Sequence, residues 1–377
     1  MDRVDIAICG AGPVGLVLAL QLVRRGVDAR RLLLVDAKPL EKTAQDPRSI
    51  ALSYGSRQIL DDIGVWPVAA DAIHEIHVSR RGHFGRTLID RAEYALPALG
   101  YVTRYGAVVA ALAAAAERAG IPAKRPAHVS SIQETGDDVT LQFAEGDALS
   151  ARILVQAEGG VFSEQDAKAT RRDYTQTAII AHVRCDEPVP QRAFERFTDE
   201  GPLALLPQDD GYAMVWCARP ETAARLQALP DFAFLGELQE TFGQRVGRFM
   251  SVSERHTYPL GLNAHAAATS RTVAIGNAAQ TLHPVAGQGL NLGMRDAVVL
   301  ARMLVEDAGP SALQRFTAER QRDRGMTIRV TDTMARIFAS GAQGTVSQGV
   351  LGLSLGLLDA VRPIKRLLAE QMMFGQR

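Results

Sequence analysis

A chain of 377 residues with 47% hydrophobic content is long enough for two or three domains with buried cores. Its 42 Lys and Arg balance its 42 Asp and Glu, so net charge gives no support for a nucleic-acid or anionic-surface partner. Cys9, Cys185 and Cys217 are too widely spaced for a disulfide framework or a CxxC metal site, and they read as reduced thiols of a cytoplasmic protein. Asp2, Arg3 and Asp5 stand where a signal peptide needs basic residues and then an unbroken apolar run. The most apolar tract, Gly349 to Leu358, is about half of the roughly twenty residues that cross a bilayer, so a soluble protein is expected.

Val4 to Cys9 reads as a short strand and is followed at once by Gly10-Ala11-Gly12-Pro13-Val14-Gly15. Helical spacing then runs from Leu16 to Arg25, and a second strand from Arg31 to Val35 ends at Asp36. This is the GxGxxG dinucleotide fingerprint in its required strand-turn-helix setting: one glycine for the tight turn, one for the approach to a pyrophosphate, one for helix on strand. Asp36, at the end of the second strand, is placed for a ribose hydroxyl. Asp46 to Ser53 reads as a polar loop leading into a helix around Ser56 to Ile63, and its Arg48 is either a solvated charge or a phosphate or flavin contact. His74 to Arg80 and Arg86 to Asp90 read as alternating strands. An alanine-rich helix from Tyr105 to Ala119 follows Thr103-Arg104. Further strands are expected at Val129 to Gln133, Val139 to Phe143 and Ala151 to Val155, the last running into the glycine turn Ala157-Glu158-Gly159-Gly160.

From about Arg172 the pattern becomes β runs between Pro- and Gly-bearing turns: Tyr174 to Arg184, Ala193 to Thr198, Leu203 to Pro207 and Tyr212 to Cys217. Helices around Glu221 to Leu229 and Phe234 to Phe242 and a strand near Phe249 to Tyr258 complete a second, mostly antiparallel domain. A strand from Thr272 to Ile275 then ends at Gly276 and enters a loop where Pro284, Gly287 and Gly289 relax the backbone. Helical periodicity resumes through Leu292, Met294, Val298, Val299 and Met303, so the loop delivers free N–H groups to a helix start, a setting that favours anions. Beyond Asp307 the pattern is helical.

Taken together, Gly10-x-Gly12-x-x-Gly15, the turn at 157 to 160, and Gly276-Asn-Ala-Ala through His283-Pro284, Gly287-x-Gly289-x-Asn291-x-Gly293 to Asp296 resemble the flavin-dependent aromatic hydroxylases of the p-hydroxybenzoate hydroxylase class. Gly276-Asn-Ala-Ala-Gln-Thr-Leu-His-Pro and Arg48-Ser-Ile-Ala-Leu-Ser look like the ubiquinone-biosynthesis branch, the 2-polyprenyl-6-methoxyphenol hydroxylases. The resemblance implies an α/β fold. A Rossmann-type FAD-binding domain would comprise 1–73, 91–171 and 266–335, a discontinuous, mainly antiparallel substrate domain 74–90 and 172–265, and a helical C-terminal segment 336–377. It implies FAD held by Gly10, Gly12, Pro13, Gly15, Asp36, Arg48, Arg104, Glu158, Gly159, Asn277, Pro284, Gly287, Gln288, Gly289, Leu290 and Asn291. Asn277 stands where the family commonly has Asp, and Glu158 where its turn usually reads Ala-Asp-Gly.

The implied reaction is NAD(P)H- and O2-dependent ring hydroxylation of a prenylated phenol, with NADPH binding transiently because the chain has no second GxGxxG. No catalytic acid or base and no metal is implied, and His283 is read as positioning its loop. Ala204, Leu205, Leu206, Met214 and Val215 are expected to line an apolar pocket. Leu351 to Met372, interleaved with glycines and carrying Arg362, Lys365 and Arg366, suit either the protein's own core or a membrane surface or biosynthetic complex. A flavin-dependent halogenase would carry Trp-x-Trp-x-Ile-Pro, whereas Trp66 and Trp216 stand alone. A hydroxylase of a small soluble phenol and a flavin-free scaffold remain as alternatives.

Overall fold

The computed structural model describes residues 2–81, 86–158, 170–264, 268–281 and 288–321. β1 (Asp2–Cys9), α1 (Pro13–Arg24) and β2 (Leu32–Val35) form the opening unit, with β2 parallel to β1. Every residue of α1 from Pro13 to Leu22 is buried. A helix apolar all round needs neighbours all round, and later helices supply them.

α2 (Leu40–Ala44), β3 (Ser49–Ser53), α3 (Tyr54–Asp62), β4 (Ala70–Ile73), β5 (Glu75–Arg80), β6 (Arg86–Asp90), β7 (Gly100–Arg104) and α4 (Tyr105–Arg118) come next. β3, β7 and β4 make a small antiparallel sheet. Ser49 to Ser53, expected as loop, is therefore a strand. Only Leu52 of it is buried, so its pattern is weak, and it exists through pairing with β7 across some fifty intervening positions. β8 (Ala123–Lys124), β9 (Val129–Glu134), β10 (Val139–Phe143) and β11 (Leu149–Gln156) complete the nucleotide sheet, ordered β8-β2-β1-β11-β10-β9. Alternation along β1 sends Ile6 and Ile8 to the core around α1, and Ala7 and Cys9 to a second cluster with Val139, Leu141 and Phe143.

The larger sheet takes β12 (Thr170–Cys185), β13 (Arg192–Phe197), β14 (Pro202–Gln208) and β15 (Gly211–Ala218), covered on one face by α5 (Pro220–Ala228) and α6 (Asp231–Phe242). β16 (Phe249–Val252) and β17 (His256–Ala264) both pair with β12. The single strand expected from Phe249 to Tyr258 is thus two, and the break is stitched by Ser253 N–H to His182 O (2.9 Å) and His182 N–H to Ser253 Oγ (2.9 Å). β18 (Thr272–Ala274) returns to the nucleotide sheet beside β11, and β19 (Gln280–Thr281) pairs with β17. The larger sheet runs β19-β17-β12-β15-β14-β13-β5-β6 and is antiparallel except where β13 meets β5. α7 (Gln288–Glu306) and a helix at 310–321 close the core, α7 and α4 lying against α1.

The expected pocket lining is half corrected. Leu205 and Met214 are fully buried with Phe194 under α5 and α6, whereas Ala204, Leu206 and Val215 lie on the opposite face. Consecutive strand residues point to opposite sides, so a continuous run cannot line one pocket. The C-terminal segment 336–377 lies outside the described residues.

Candidate functional site

Gly10 has φ +105°, donates its N–H to Val35 O at 2.7 Å, and sits where a Cβ would lie 2.6 Å from the Ala157 carbonyl carbon. Ala157 N–H in turn reaches Cys9 O at 2.6 Å, so the turn after β1 is locked to the end of β11. A Cβ on Gly15 would run into the Gly10 carbonyl oxygen. Gly12 is the N-cap of α1 and offers no side-chain cap, with Pro13 at the first helical positions. The first-turn amides are therefore left for an anion. The Tyr105 hydroxyl lies 3.0 Å from where a Gly12 Cβ would stand.

Asp36 Oδ2 accepts Ala11 N–H at 2.7 Å and Oδ1 accepts Lys38 N–H at 2.8 Å. Each carboxylate oxygen has a second lone pair, so the side chain is oriented yet can still receive ribose hydroxyls. Glu158, half-buried at the end of β11, has its carboxyl pushed up to about 7 by burial and by the Asp36 charge. The Cys9 thiol is raised by burial, then by Glu158 and Asp36. A helix N-terminus with no side-chain cap beside an oriented carboxylate fits the pyrophosphate and ribose of a dinucleotide cofactor.

The second strip of residues is carried to this mouth by close packing. Gly276, φ +60°, and Gly293 both abut Val14: a Cβ on Gly293 would lie 2.7 Å from Val14 Cγ2 and 3.0 Å from Gly276 Cα. Asn277 is exposed in the turn Gly276–Ala278, with Oδ1 3.6 Å from where a Gly289 Cβ would stand. Leu290 packs on the α1 core. Asn291 is turned inward instead: its Oδ1 accepts Ser53 N–H (2.8 Å) and Ser56 Oγ–H (2.7 Å), and its Nδ2 donates to Ala51 O (3.0 Å). Its side chain pins α7 to β3 and α3. Buried Asp296 accepts Arg320 Nε–H at 2.7 Å and Gly276 N–H at 3.3 Å, tying α7 to that turn and to the 310–321 helix.

Arg48 is clamped by Asp46 (2.9 and 2.7 Å) and its guanidinium carbon stands 4.9 Å from the Tyr105 ring centroid. Its pKa is raised first by that hydrogen bond, and the Asp46, Tyr105 and Tyr258 side chains add to it against burial. Tyr258 belongs to β17, so Arg48 looks from the nucleotide part onto the larger sheet. Arg104 stands apart from the phosphate turn, with its Nη2 on Asp209 at 2.6 Å in an exposed pair. Gly159, Pro284 and Gly287 lie outside the described residues, and Gln288 begins α7. Sequence reasoning missed Tyr105 and Tyr258 as neighbours of Arg48. Tyr105 had a signal, an aromatic at the start of a helix after a strand, whereas Tyr258 arrives only through the β12–β17 pairing.

These features define an α/β nucleotide-binding protein whose cofactor crevice is overlooked by a second sheet. A protein-family model described as "FAD binding domain" matches residues 3–329. The chain belongs to this family, and its cofactor is FAD. It is 30% identical over 402 residues to ubiquinone hydroxylase UbiL of Rhodospirillum rubrum, covering 99% of this chain and 90% of that one. It is 28% identical over 380 residues to 3-demethoxyubiquinol 3-hydroxylase of Escherichia coli, covering 95% of each. Its fold matches the crystal structure of p-nitrophenol 4-monooxygenase PnpA from Pseudomonas putida DLL-E4 with a TM-score of 0.80 at 17% identity, over 100% of both chains.

Proposed function

We propose that this chain is an FAD-dependent monooxygenase that uses NAD(P)H and O2 to hydroxylate the ring of a polyprenylated phenol in ubiquinone biosynthesis. The observation that carries this reading is the nearly full-length similarity to two relatives named for ubiquinone and demethoxyubiquinol hydroxylation. The overlooking sheet face, with Ala204, Leu206 and Val215, agrees with an apolar ring substrate.

In this reading the Gly10, Gly12, Pro13 and Gly15 turn receives the pyrophosphate, Asp36 the adenosine ribose, and Arg48 with its tyrosines closes the crevice toward the sheet. Glu158, Gly159, Asn277, Pro284, Gly287, Gln288, Gly289 and Leu290 complete the cofactor surface. Asn291 acts from behind, by fixing α7, and Arg104 by joining the small sheet to the β14–β15 turn. FAD supplies the electron transfer and oxygen activation; the protein's share is to orient the phenol and keep water out. Residues 1–73, 91–171 and 266–335 form the cofactor domain and 74–90 with 172–265 the substrate domain, a division supported by the change of sheet between β4 and β5 and between β11 and β12. Among the described residues no helix is long and apolar enough to cross a membrane. We place the enzyme in the cytoplasm, drawing a bilayer-dissolved substrate at the membrane surface through 336–377, by direct lipid contact or within a biosynthetic complex.

The test is anaerobic reduction of the yellow protein by NADPH with and without a prenylated methoxyphenol. Reduction is expected to accelerate strongly with the phenol, and oxygen then to yield a product heavier by one oxygen atom. A response only to small soluble phenols removes the ubiquinone assignment.

A further inference from the structure

The sheet face turned away from α5 and α6 carries a cross-strand row: Ile180, Val215, Ala204, Glu195 and Val78, paired one to the next through β12, β15, β14, β13 and β5. All five are half-buried. On one side the row is bounded by Ala193 and Ala213, packed on Ile73 and Val102 of the small sheet. On the other side lie buried Phe197, Pro202, Cys217 and Ala178. The row is thus the accessible floor of a trough, apolar except for one carboxylate. The face looks toward the cofactor crevice: Gln208, at its β14 end, accepts Ser49 Oγ–H at 2.6 Å, next to Arg48.

A carboxylate in an apolar trough costs free energy unless something there uses it. Among the described residues the Glu195 side chain has no hydrogen-bond or ion-pair partner, and burial alone pushes its carboxyl up to about 7. The titratable group facing it is the Cys217 thiol on β15, itself raised by burial and then by Glu195. β14 presents Ala204 and β5 presents Val78, which carry no charge, and two positions along β5 on the same face stands buried Arg80, paired with Phe197.

We propose that Glu195 is a catalytic residue of this hydroxylase, its carboxylate accepting the hydrogen bond of the substrate's phenolic hydroxyl and taking that proton before the ring is attacked. The inference rests on the function proposed above. In the step, the phenolic O–H bond breaks, a new O–H bond forms on a Glu195 oxygen, and the electron pair stays on the phenolic oxygen. Nothing is oxidised or reduced in it; the oxidising equivalents come from O2 in the hydroxylation itself. The electron pair left on the phenolic oxygen enriches the ring for attack by an electrophilic oxygen. A carboxyl raised toward neutrality is a stronger base than an ordinary glutamate, and its base form predominates above about pH 7.

The experiment uses the FAD-loaded protein with a short prenylated methoxyphenol as probe, reading the ultraviolet difference spectrum of the bound phenol between about pH 6 and 9 without reductant, then kcat against pH. Bound phenol is expected to show phenolate absorption well below the pH at which the free phenol ionises, and kcat to rise through about pH 7. Glu195→Gln should lose that absorption and about 100-fold in kcat, with KM and flavin absorbance little changed, while Glu195→Asp recovers part of both. Glu195→Gln with the native phenolate spectrum and pH profile overturns the inference and leaves the function standing. A wild-type protein that binds and hydroxylates the phenol with no early phenolate overturns it without any variant. A wild-type protein that neither binds nor hydroxylates any prenylated phenol overturns both.

Discussion

Gly12 and Gly15 are glycines for different reasons, and substitution separates them. A Cβ on Gly15 meets a backbone oxygen that cannot move without breaking the β1–β11 turn, whereas a Cβ on Gly12 meets only the movable Tyr105 hydroxyl. Gly15→Ala is therefore expected to destabilise the fold by about 1–3 kcal/mol or more, seen as a lower melting temperature with or without flavin. Gly12→Val should fold and stay colourless, because its side chain occupies the approach of the pyrophosphate; a fully yellow Gly12→Val contradicts the cofactor assignment. Glu158 sets a pH dependence. Its carboxyl is raised in the folded state, so the folded protein suffers no penalty below the ordinary glutamate range and loses stability as pH rises through about 7. In flavin-free protein Glu158→Gln should accordingly melt about 2–4 °C higher than wild type at alkaline pH and no higher in acid. Equal melting at both ends would show that burial and the Asp36 charge do not disfavour the Glu158 carboxylate in the folded protein.

At the scale of elements, Asn291 joins what the chain keeps far apart. Asn291→Ala strands the Ser53 N–H, the Ser56 hydroxyl and the Ala51 carbonyl, and should cost about 2–4 kcal/mol while weakening flavin retention through a displaced α7. Loss of flavin without loss of stability would instead mean a direct cofactor contact. The same residue shows what was legible in the sequence. Asn291 could be read as part of the motif, but not that its amide faces inward, since that depends on β3, a strand formed only by pairing with β7. Elements with strong local periodicity, such as β1, α1 and α4, were readable from their own residues. β3, β4 and β7 were not, because β3 and β4 have one buried position each and all three take their pairing from distant chain. Glu195 was invisible for a related reason: its meaning lies in a row that crosses five strands, and no window of sequence contains that row.

At the scale of the molecule, the cofactor part and the substrate sheet are joined by polar contacts, Ser49 to Gln208, Arg104 to Asp209, and Asp209 N–H to Asp71 at 2.9 Å, together with the small apolar seam of Ile73, Val102, Ala193 and Ala213. Exposed ion pairs such as Arg104–Asp209 add about 1 kcal/mol at most, so the seam and the shared chain crossings hold the two parts in register. The family match ends at residue 329, and the last tie described, Arg320 to Asp296, precedes it. The sequence from Gly349 onward combines an apolar run with Arg362, Lys365 and Arg366, a pattern suited to an anionic bilayer surface. A prenylated phenol is dissolved in that bilayer, and with a formal net charge of +0 the whole molecule has no general attraction to it, so the local basic cluster must supply any attraction. Truncation after Arg336 is therefore expected to leave flavin bound and activity on a short-chain phenol intact. It should lower co-sedimentation with anionic vesicles and turnover of a long-chain phenol presented in them. Loss of flavin and solubility on truncation would show that the segment packs on the protein's own core.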